Sequence, residues 1–451
     1  MTTDSTSRAL PVVTDQPDRD YRPFRAWSVL LMLAVFMVIN FADRTILALA
    51  AQPVMRELGL SASQFGLVSS SFYFLYSVSA IGVGFLATRH ISLKWLLFIM
   101  SLLWAATQLP VFLFVGGGVL LGTRIALGAA EGPATAVANS AAYSWFPPHR
   151  RGLPTSVLTS GPSLAKLVAA PLLTLLIVHQ GWRMGFLAVA VAGLAWCALW
   201  LFVGRTGPYA GARRPASPAS PTDAGADRSA RRRTFLAVAT SRTFVLLLLA
   251  TYPLYALISV ILSWLPSYLE AGLHFSPLTS GLLFGLPSIV GMGFMLGAGW
   301  FTDRLLASGA SARVARGLVP TVSLAVGGVF LALLPLAGGQ RYLAYALLVV
   351  GYCLTLLALP IVYAAIGTSA APSQRTSVLS LFIGLQSTSG IIAPWATGAL
   401  IDGAGNQADG YNTAFTVMGV LIAVGGVVAA LIVDPGRDAA QDAPPAPASA
   451  G

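Results

Sequence analysis

Gly84-Phe-Leu-Ala-Thr-Arg89 and Gly299-Trp-Phe-Thr-Asp-Arg304 each follow an apolar run, and they stand a little over 200 residues apart. A second pair repeats in the same order. Arg151-Gly-Leu-Pro-Thr-Ser-Val-Leu158 opens one later run and Arg375-Thr-Ser-Val-Leu379 opens its counterpart. One short match is chance, but two in register at equivalent points argue for a duplicated unit. In membrane carriers built this way, the binding site lies between the repeats near the bilayer midplane.

The rest of the chain supports a membrane setting. Of its 451 residues 56% are hydrophobic and 10% charged, and the mean hydropathy is +0.75. A soluble domain carries about 25% charged residues. The apolar runs are each about 20 residues long, enough to cross a bilayer as helices. About twelve are expected, centred near Phe36, Phe74, Ala105, Glu131, Lys166, Gly193, Ala256, Ile289, Gly327, Leu347, Gly390 and Leu421. Two adjacent runs, 314–336 and 341–365, have the least distinct division. The expected fold is an all-α membrane protein with twelve transmembrane helices in two pseudo-symmetric six-helix bundles.

Charge placement orients the chain. The formal net charge is +11, which in a soluble protein would suggest nucleic acid. Here arginines gather in the amino-terminal tail, at His149-Arg150-Arg151, between Arg205 and Arg242, and near Arg304, Arg313, Arg316 and Arg375. The alternate loops, such as Val115–Val119 and Glu270–Thr279, carry few or none. This alternation predicts cytoplasmic termini and a cytoplasmic central loop. The division reads as a tail over 1–26, a first bundle over 27–203, a linker over 204–242, a second bundle over 243–433 and a tail over 434–451. The Pro/Ala/Ser/Arg-rich linker reads as a spacer lying against anionic lipid, with a regulatory site as the alternative. The residues before Trp27 show no cleavable signal. Cys197 and Cys353 fall within spans and suit packing. No metal spacing, nucleotide loop or nucleophile–base pair is visible, so neither an enzyme nor a bound cofactor is expected.

Charge inside the spans is the functional clue. Asp43-Arg44 lies in the first run, and Arg124 and Glu131 in the fourth. Charge at mid-bilayer is costly unless paired or facing a wet cavity, so it marks a pathway. Asn40, Asp43 and Arg44 share a helical face, as do Arg124 and Glu131. Topology puts Arg44 and Arg124 at similar depth and Glu131 deeper, near the midplane. Lys166, one of two lysines in the chain, sits mid-span in the fifth run.

The six-plus-six pattern, the long central loop and the G-x-x-x-D-R turn resemble the major facilitator superfamily. Three stretches resemble its anion:cation symporter family, which includes hexuronate and aldonate permeases, sialin and the vesicular glutamate transporters. They are Asn40-Phe-Ala-Asp-Arg44, Arg124-Ile-Ala-Leu-Gly-Ala-Ala-Glu-Gly-Pro133, and Trp145-Phe-Pro-Pro-His-Arg-Arg-Gly152 with Ser160-Gly161. Gly181-Trp182-Arg183 and Trp264-Leu-Pro-Ser-Tyr-Leu269 fit as well. The resemblance implies a cavity-facing tyrosine at Tyr76, and gating turns at Arg89, Asp303 and Arg304. In the first of these turns Thr88 replaces the acid, leaving Arg89 and Lys94.

An ionised carboxylate in low dielectric binds a proton readily, whereas a neighbouring arginine holds it ionised. A substrate carboxylate that claims Arg44 in a bidentate contact would leave Asp43 and Glu131 more ready to take protons. The expected activity is therefore proton-coupled uptake of a small organic anion by alternating access, with Asp43 and Glu131 as proton carriers and Arg44 as anchor. The alternative is that these residues form structural ion pairs. Arg124 either contacts substrate or orients Glu131. Lys166 either tunes substrate choice or forms a salt bridge with Glu131. In the second half, Tyr252, Tyr255, Gln386 and Ser387 offer hydrogen bonds to substrate hydroxyls, or else between helices. Sugar acids lead, with aromatic acids next; an exporter and a non-transporting sensor are the other classes. The expected partners are the anion, protons and lipid but no nucleic acid, for a monomer in a bacterial inner membrane driven by the proton gradient.

Overall fold

The computed structural model describes residues 22–432 apart from 115, 148–149, 210–234, 312 and 370–373; for 81–90, 303, 368–369 and 375–376 it describes the backbone alone. The apolar runs fold as α1 (Pro23–Leu49), α2 (Ala62–His90), α3 (Leu93–Leu113), α4 (Gly117–Glu131 continued by Ala134–Tyr143), α5 (Gly152–Gln180) and α6 (Trp182–Val203). They continue as α7 (Arg242–Gly272), α8 (Pro277–Ala307), α9 (Arg313–Ala332), α10 (Arg341–Gly367), α11 (Ser377–Asp402) and α12 (Gln407–Ile432). Ten of these are long and apolar enough to cross a membrane by length and composition. The other two are α2 and the interrupted α4, which complete the twelve. The division between α9 and α10 falls at the expected place. Most of the linker and both tails lie outside the described residues.

Local chemistry sets the helix limits. Ser241 Oγ accepts from Phe244 N at 3.2 Å to start α7, and Ser276 Oγ accepts from Thr279 N at 3.3 Å ahead of Pro277 to start α8. Such caps satisfy amides that have no partner within the helix. Gly181, at φ +90°, turns the chain from α5 into α6 in one residue. On the short helix Ala51–Leu58 after α1, Glu57 accepts from Trp182 Nε1 and pairs with Arg183 Nη1, both at 2.6 Å. Those two donors hold the Glu57 carboxyl below its usual range.

Each bundle has its own aromatic core. In the first, Phe36 packs on Trp104 and Trp196 with centroids 4.4 and 4.9 Å apart, and Trp196 stacks on Trp200. In the second, Tyr268 meets Tyr411 and Phe415 at 5.4 and 5.1 Å. The cysteines sit in these interiors as free thiols.

The two bundles meet toward the far face, opposite the one where α1 begins and α12 ends. Gly66 of α2 lies against the Pro394 carbonyl of α11, and Gly398 against the Ala62 carbonyl; a Cβ at either site would collide with backbone. Glycine there permits the close approach that membrane helices use in place of a hydrophobic drive. Polar groups fasten the seam. Gln52 donates to Ser267 at 2.6 Å, Trp395 N to Ser70 Oγ at 3.1 Å, and Ala62 N and Ser63 N to the two Asp402 oxygens at 2.9 and 2.8 Å. Asp402 of the second bundle thus caps α2 of the first, where its charge also complements the helix dipole.

This cap generates a prediction. Asp402→Ala should weaken far-side closure by about 1 kcal/mol, roughly fivefold in the closed-to-open ratio. With Cys197 and Cys353 replaced by serine, a cysteine at Ser69 reports the change. Its labelling by an impermeant maleimide from the far side should quicken by about that factor; an unchanged rate would remove the latch role of Asp402.

Candidate functional site

The charged residues converge where α1, α2, α3 and α4 meet. Gly128 of α4 lies against the Phe72 carbonyl of α2, and Gly132 against Ser79 and the Tyr76 carbonyl, so α4 is seated hard on α2. The helix then breaks at Gly132-Pro133, because proline has no N–H to continue the ladder. Glu131 is the last residue before the break and is wholly buried.

Arg44 reaches across from α1. Its Nε donates to Glu131 Oε2 at 2.6 Å and its Nη2 to Asn40 Oδ1 at 3.5 Å. The guanidinium lies over the rings of Tyr76, Phe41 and Phe72 at 4.7, 4.8 and 5.2 Å. Such ring faces hold a cation without consuming its donors. Nη1 has no hydrogen bond among the described residues.

Asp43 turns the other way, to α3. Gln108 Nε2 donates to Asp43 Oδ1 at 2.7 Å, and Arg124 Nη2 donates to Gln108 Oε1 at 3.1 Å. Arg124 Nη1 donates to the Asp43 carbonyl at 2.9 Å, and its guanidinium lies 5.4 Å from the Phe186 ring centroid. Asp43 Oδ2, Glu131 Oε1 and Arg124 Nε are buried without a hydrogen-bond partner.

The expected pairing is therefore corrected. Asp43 pairs with neither arginine side chain, and Arg124 does not bond Glu131; the ion pair is Arg44–Glu131 between helices. Adjacent residues on a helix diverge by 100°, which sends Asp43 and Arg44 to different neighbours. Gln108, not expected from the sequence, is the bridge. Its one signal is an amide inside an otherwise apolar run.

Lys166 lies in a π-helical turn, Ala165–Ala169, within α5. It is buried, with Nζ 5.6 Å from the Phe284 ring centroid of α8. The expected alternative of a Glu131 salt bridge is not formed, since Arg44 holds that carboxylate.

The second bundle contributes neutral groups. Tyr252 shares a 3.2 Å hydrogen bond with Thr388, and Tyr255 packs against the core of the first bundle. Gln386 is fully buried, donating to Thr251 and accepting from Tyr363 at 3.1 Å. Ser387 shares a 2.7 Å hydrogen bond with Ser77 across the seam. In this conformation Gln386 and Ser387 serve helix-to-helix contacts rather than an open cavity. The side chains of Arg89 and Asp303 lie outside the described residues; Arg304 is exposed, its guanidinium 5.4 Å from the Trp300 ring. Lys94 donates to the Leu201 carbonyl near the end of α6 at 3.0 Å.

The gap directly beside the guanidiniums is about 30 Å³, lined by Arg44, Ser69, Tyr73, Arg124 and Ser263 among others; a cleft of about 430 Å³ lies further out, between the ends of α1, α5 and α7. Toward the terminal face, Tyr76, Tyr252, Tyr255 and Tyr363 keep partial exposure. Seam contacts between the bundles hold the site closed on the far side.

Residues 33–358 match the Major Facilitator Superfamily. The chain belongs to that superfamily. It is 28% identical over 397 residues to the hexuronate transporter of Bacillus subtilis strain 168, covering 87% of this chain and 91% of that protein. It is 28% identical to a probable sulfoacetate transporter of Cupriavidus necator (90% and 93% covered) and 26% identical to the D-galactonate transporter of Escherichia coli O6:H1 (68% and 73%). In fold it resembles a bacterial homologue of the human lysosomal transporter Spinster, with a TM-score of 0.76 at 19% identity and 94% and 100% coverage. It also resembles a D-xylose–proton symporter, with a TM-score of 0.69 at 14% identity and 88% and 96% coverage. This superfamily member is a transporter, not an enzyme.

The Gln108 bridge is open to test. Gln108→Ala strands the Asp43 carboxylate and one Arg124 donor, so it should cost roughly 1–3 kcal/mol of stability. In thermal unfolding in detergent, the loss should be non-additive with Asp43→Ala, because the two residues share one bond. Additive losses would show that Asp43 and Gln108 act independently.

Proposed function

We propose that this chain is a proton-coupled importer of a small organic anion, with sugar acids as the leading class. The observation that carries the reading is the buried Arg44–Glu131 pair, with an unpartnered Arg44 nitrogen beside it and the second bundle closing over it. A substrate carboxylate offers Arg44 two oxygens where Glu131 engages one nitrogen. As the substrate takes the guanidinium, Glu131 is left as a lone carboxylate in low dielectric and binds a proton. The loaded site is then less charged and cheaper to carry through the occluded state.

Asp43 is the second carboxylate that receives a proton in this scheme, and its link to Gln108 and Arg124 ties that event to the packing of α3 and α4. Arg124 orients the constellation from behind. Tyr76 and Tyr255 wall the cavity, and Tyr252 offers a hydroxyl from the second bundle. Gln386 and Ser387 become available to substrate hydroxyls only if their present bonds exchange. Arg89, Asp303 and Arg304 form the cytoplasmic gating turns. The relatives named above carry hexuronate, sulfoacetate and galactonate according to their names, which supports a small anion.

Arginine placement supports both termini in the cytoplasm of a bacterial inner membrane, for a chain acting as a monomer in lipid. On that orientation the closed far side is periplasmic, and the present conformation faces inward.

Uptake into proteoliposomes under an imposed pH gradient tests this reading. Glu131→Gln should abolish proton-driven accumulation while retaining exchange of internal for external anion. Arg44→Lys should lower both by at least about tenfold, since a point charge cannot reproduce the bidentate fork. Full proton-driven accumulation by Glu131→Gln would sink the coupling role.

A further inference from the structure

Lys166 is the charged group that the scheme above leaves unexplained. Its side chain is 7% exposed. Among the described residues it has no carboxylate within 4.0 Å and no hydrogen-bond acceptor; its Nζ lies 5.6 Å from the Phe284 ring centroid. The face of one ring offsets only part of the hydration that a buried ammonium gives up.

Its location is specific. The backbone of Lys166 abuts Gly285 of α8 so closely that a Cβ at Gly285 would press on the Lys166 carbonyl. Lys166 therefore stands on the seam between bundles. Gly161 of α5 touches Met37 of α1, and the two helices run the same way. Five residues onward on each, Lys166 comes level with the Ala42–Arg44 turn. One turn before Phe284 on α8, Ser280 Oγ is wholly buried without a partner. The π-helical turn carrying Lys166 is a form that recurs at functional sites.

Charge balance points to what fits. Among the described residues, the charged side chains around the site are Arg44, Arg124 and Lys166 against Asp43 and Glu131, all buried but the nearly buried Arg44. With Asp43 and Glu131 both protonated, as the proposed coupling requires, three cations face no carboxylate. A dianion offsets more of that excess than a monoanion does. Resting on the reading of the site as an anion carrier, we propose that the substrate bears two anionic groups. One is held by Arg44, and the other is held by Lys166.

D-glucarate and D-gluconate test this directly, since they share a carbon count and differ in the second carboxylate. Affinities for the full-length protein in nanodiscs are measured by calorimetry at neutral pH. Wild type should bind D-glucarate at least about tenfold more tightly than D-gluconate. Lys166→Gln should erase that preference while holding D-gluconate within roughly twofold, which also shows that the variant folds. Should Lys166→Gln fail to fold, Lys166→Arg decides: the preference survives if charge is the cause and disappears if packing is. Arg44→Lys should weaken both acids. An unchanged glucarate-to-gluconate ratio in Lys166→Gln, or no preference in wild type, would overturn the dianion assignment and leave the anion site standing. Binding of neither acid by wild type would overturn both.

Discussion

The ion pair between Arg44 and Glu131 is the constraint around which the first bundle is arranged. Both groups lie in the membrane-spanning interior at 2.6 Å, with Glu131 wholly buried. Removing one partner of such a pair costs roughly 3–5 kcal/mol, because the survivor is left charged in low dielectric. Neither side chain is free to change without a substitute. The aromatic walls of Phe41, Phe72 and Tyr76 fix the guanidinium, and the break after Glu131 fixes the carboxylate. Gly128 and Gly132 bring the two helices close enough for both to happen. In the proposed mechanism the substitutes are a substrate anion for Arg44 and a proton for Glu131. The cost of supplying only one of them couples the two fluxes.

The second bundle acts on this pair through the seam. Glycine contacts between α2 and α11, with Asp402 capping α2, close the far side with backbone-level precision. An apolar contact, Phe65 on Trp264 with centroids 5.2 Å apart, backs those polar contacts from the same side. Seam hydrogen bonds such as Ser77–Ser387 lie nearer the middle, where separation of the bundles would free hydroxyls toward a ligand. Alternating access in the proposed reading is then an exchange of seam hydrogen bonds for substrate hydrogen bonds.

Much of this was legible in the sequence. The apolar runs and the duplicated turns at Arg89 and Arg304 predicted the helix count and the two-bundle fold. Asp43, Arg44, Arg124 and Glu131 stood out because charge is rare in apolar runs. Their pairing was not legible. Helical phasing says which face a residue occupies but not which helix that face meets, so Asp43–Arg44 and Arg124–Glu131 read as pairs when the contact runs from Arg44 to Glu131. Gln108 is not legible, because a neutral amide carries no charge signal, although its two ends suit a carboxylate and a guanidinium. The sequence leaves Gln386 and Ser387 open to a substrate or to other helices, and only packing decides between those uses. For Lys166 the sequence left two readings, and the loss of Glu131 to Arg44 removed one of them.

The central claim is that anion binding at Arg44 drives a proton onto Glu131. Calorimetry of a bound sugar acid in two buffers of different ionisation enthalpy counts the protons taken up per anion. The account predicts uptake of about two protons in wild type at neutral pH and about one fewer in Glu131→Gln. Equal proton counts in the two proteins, or anion binding with no proton uptake from pH 5 to 9, would contradict it.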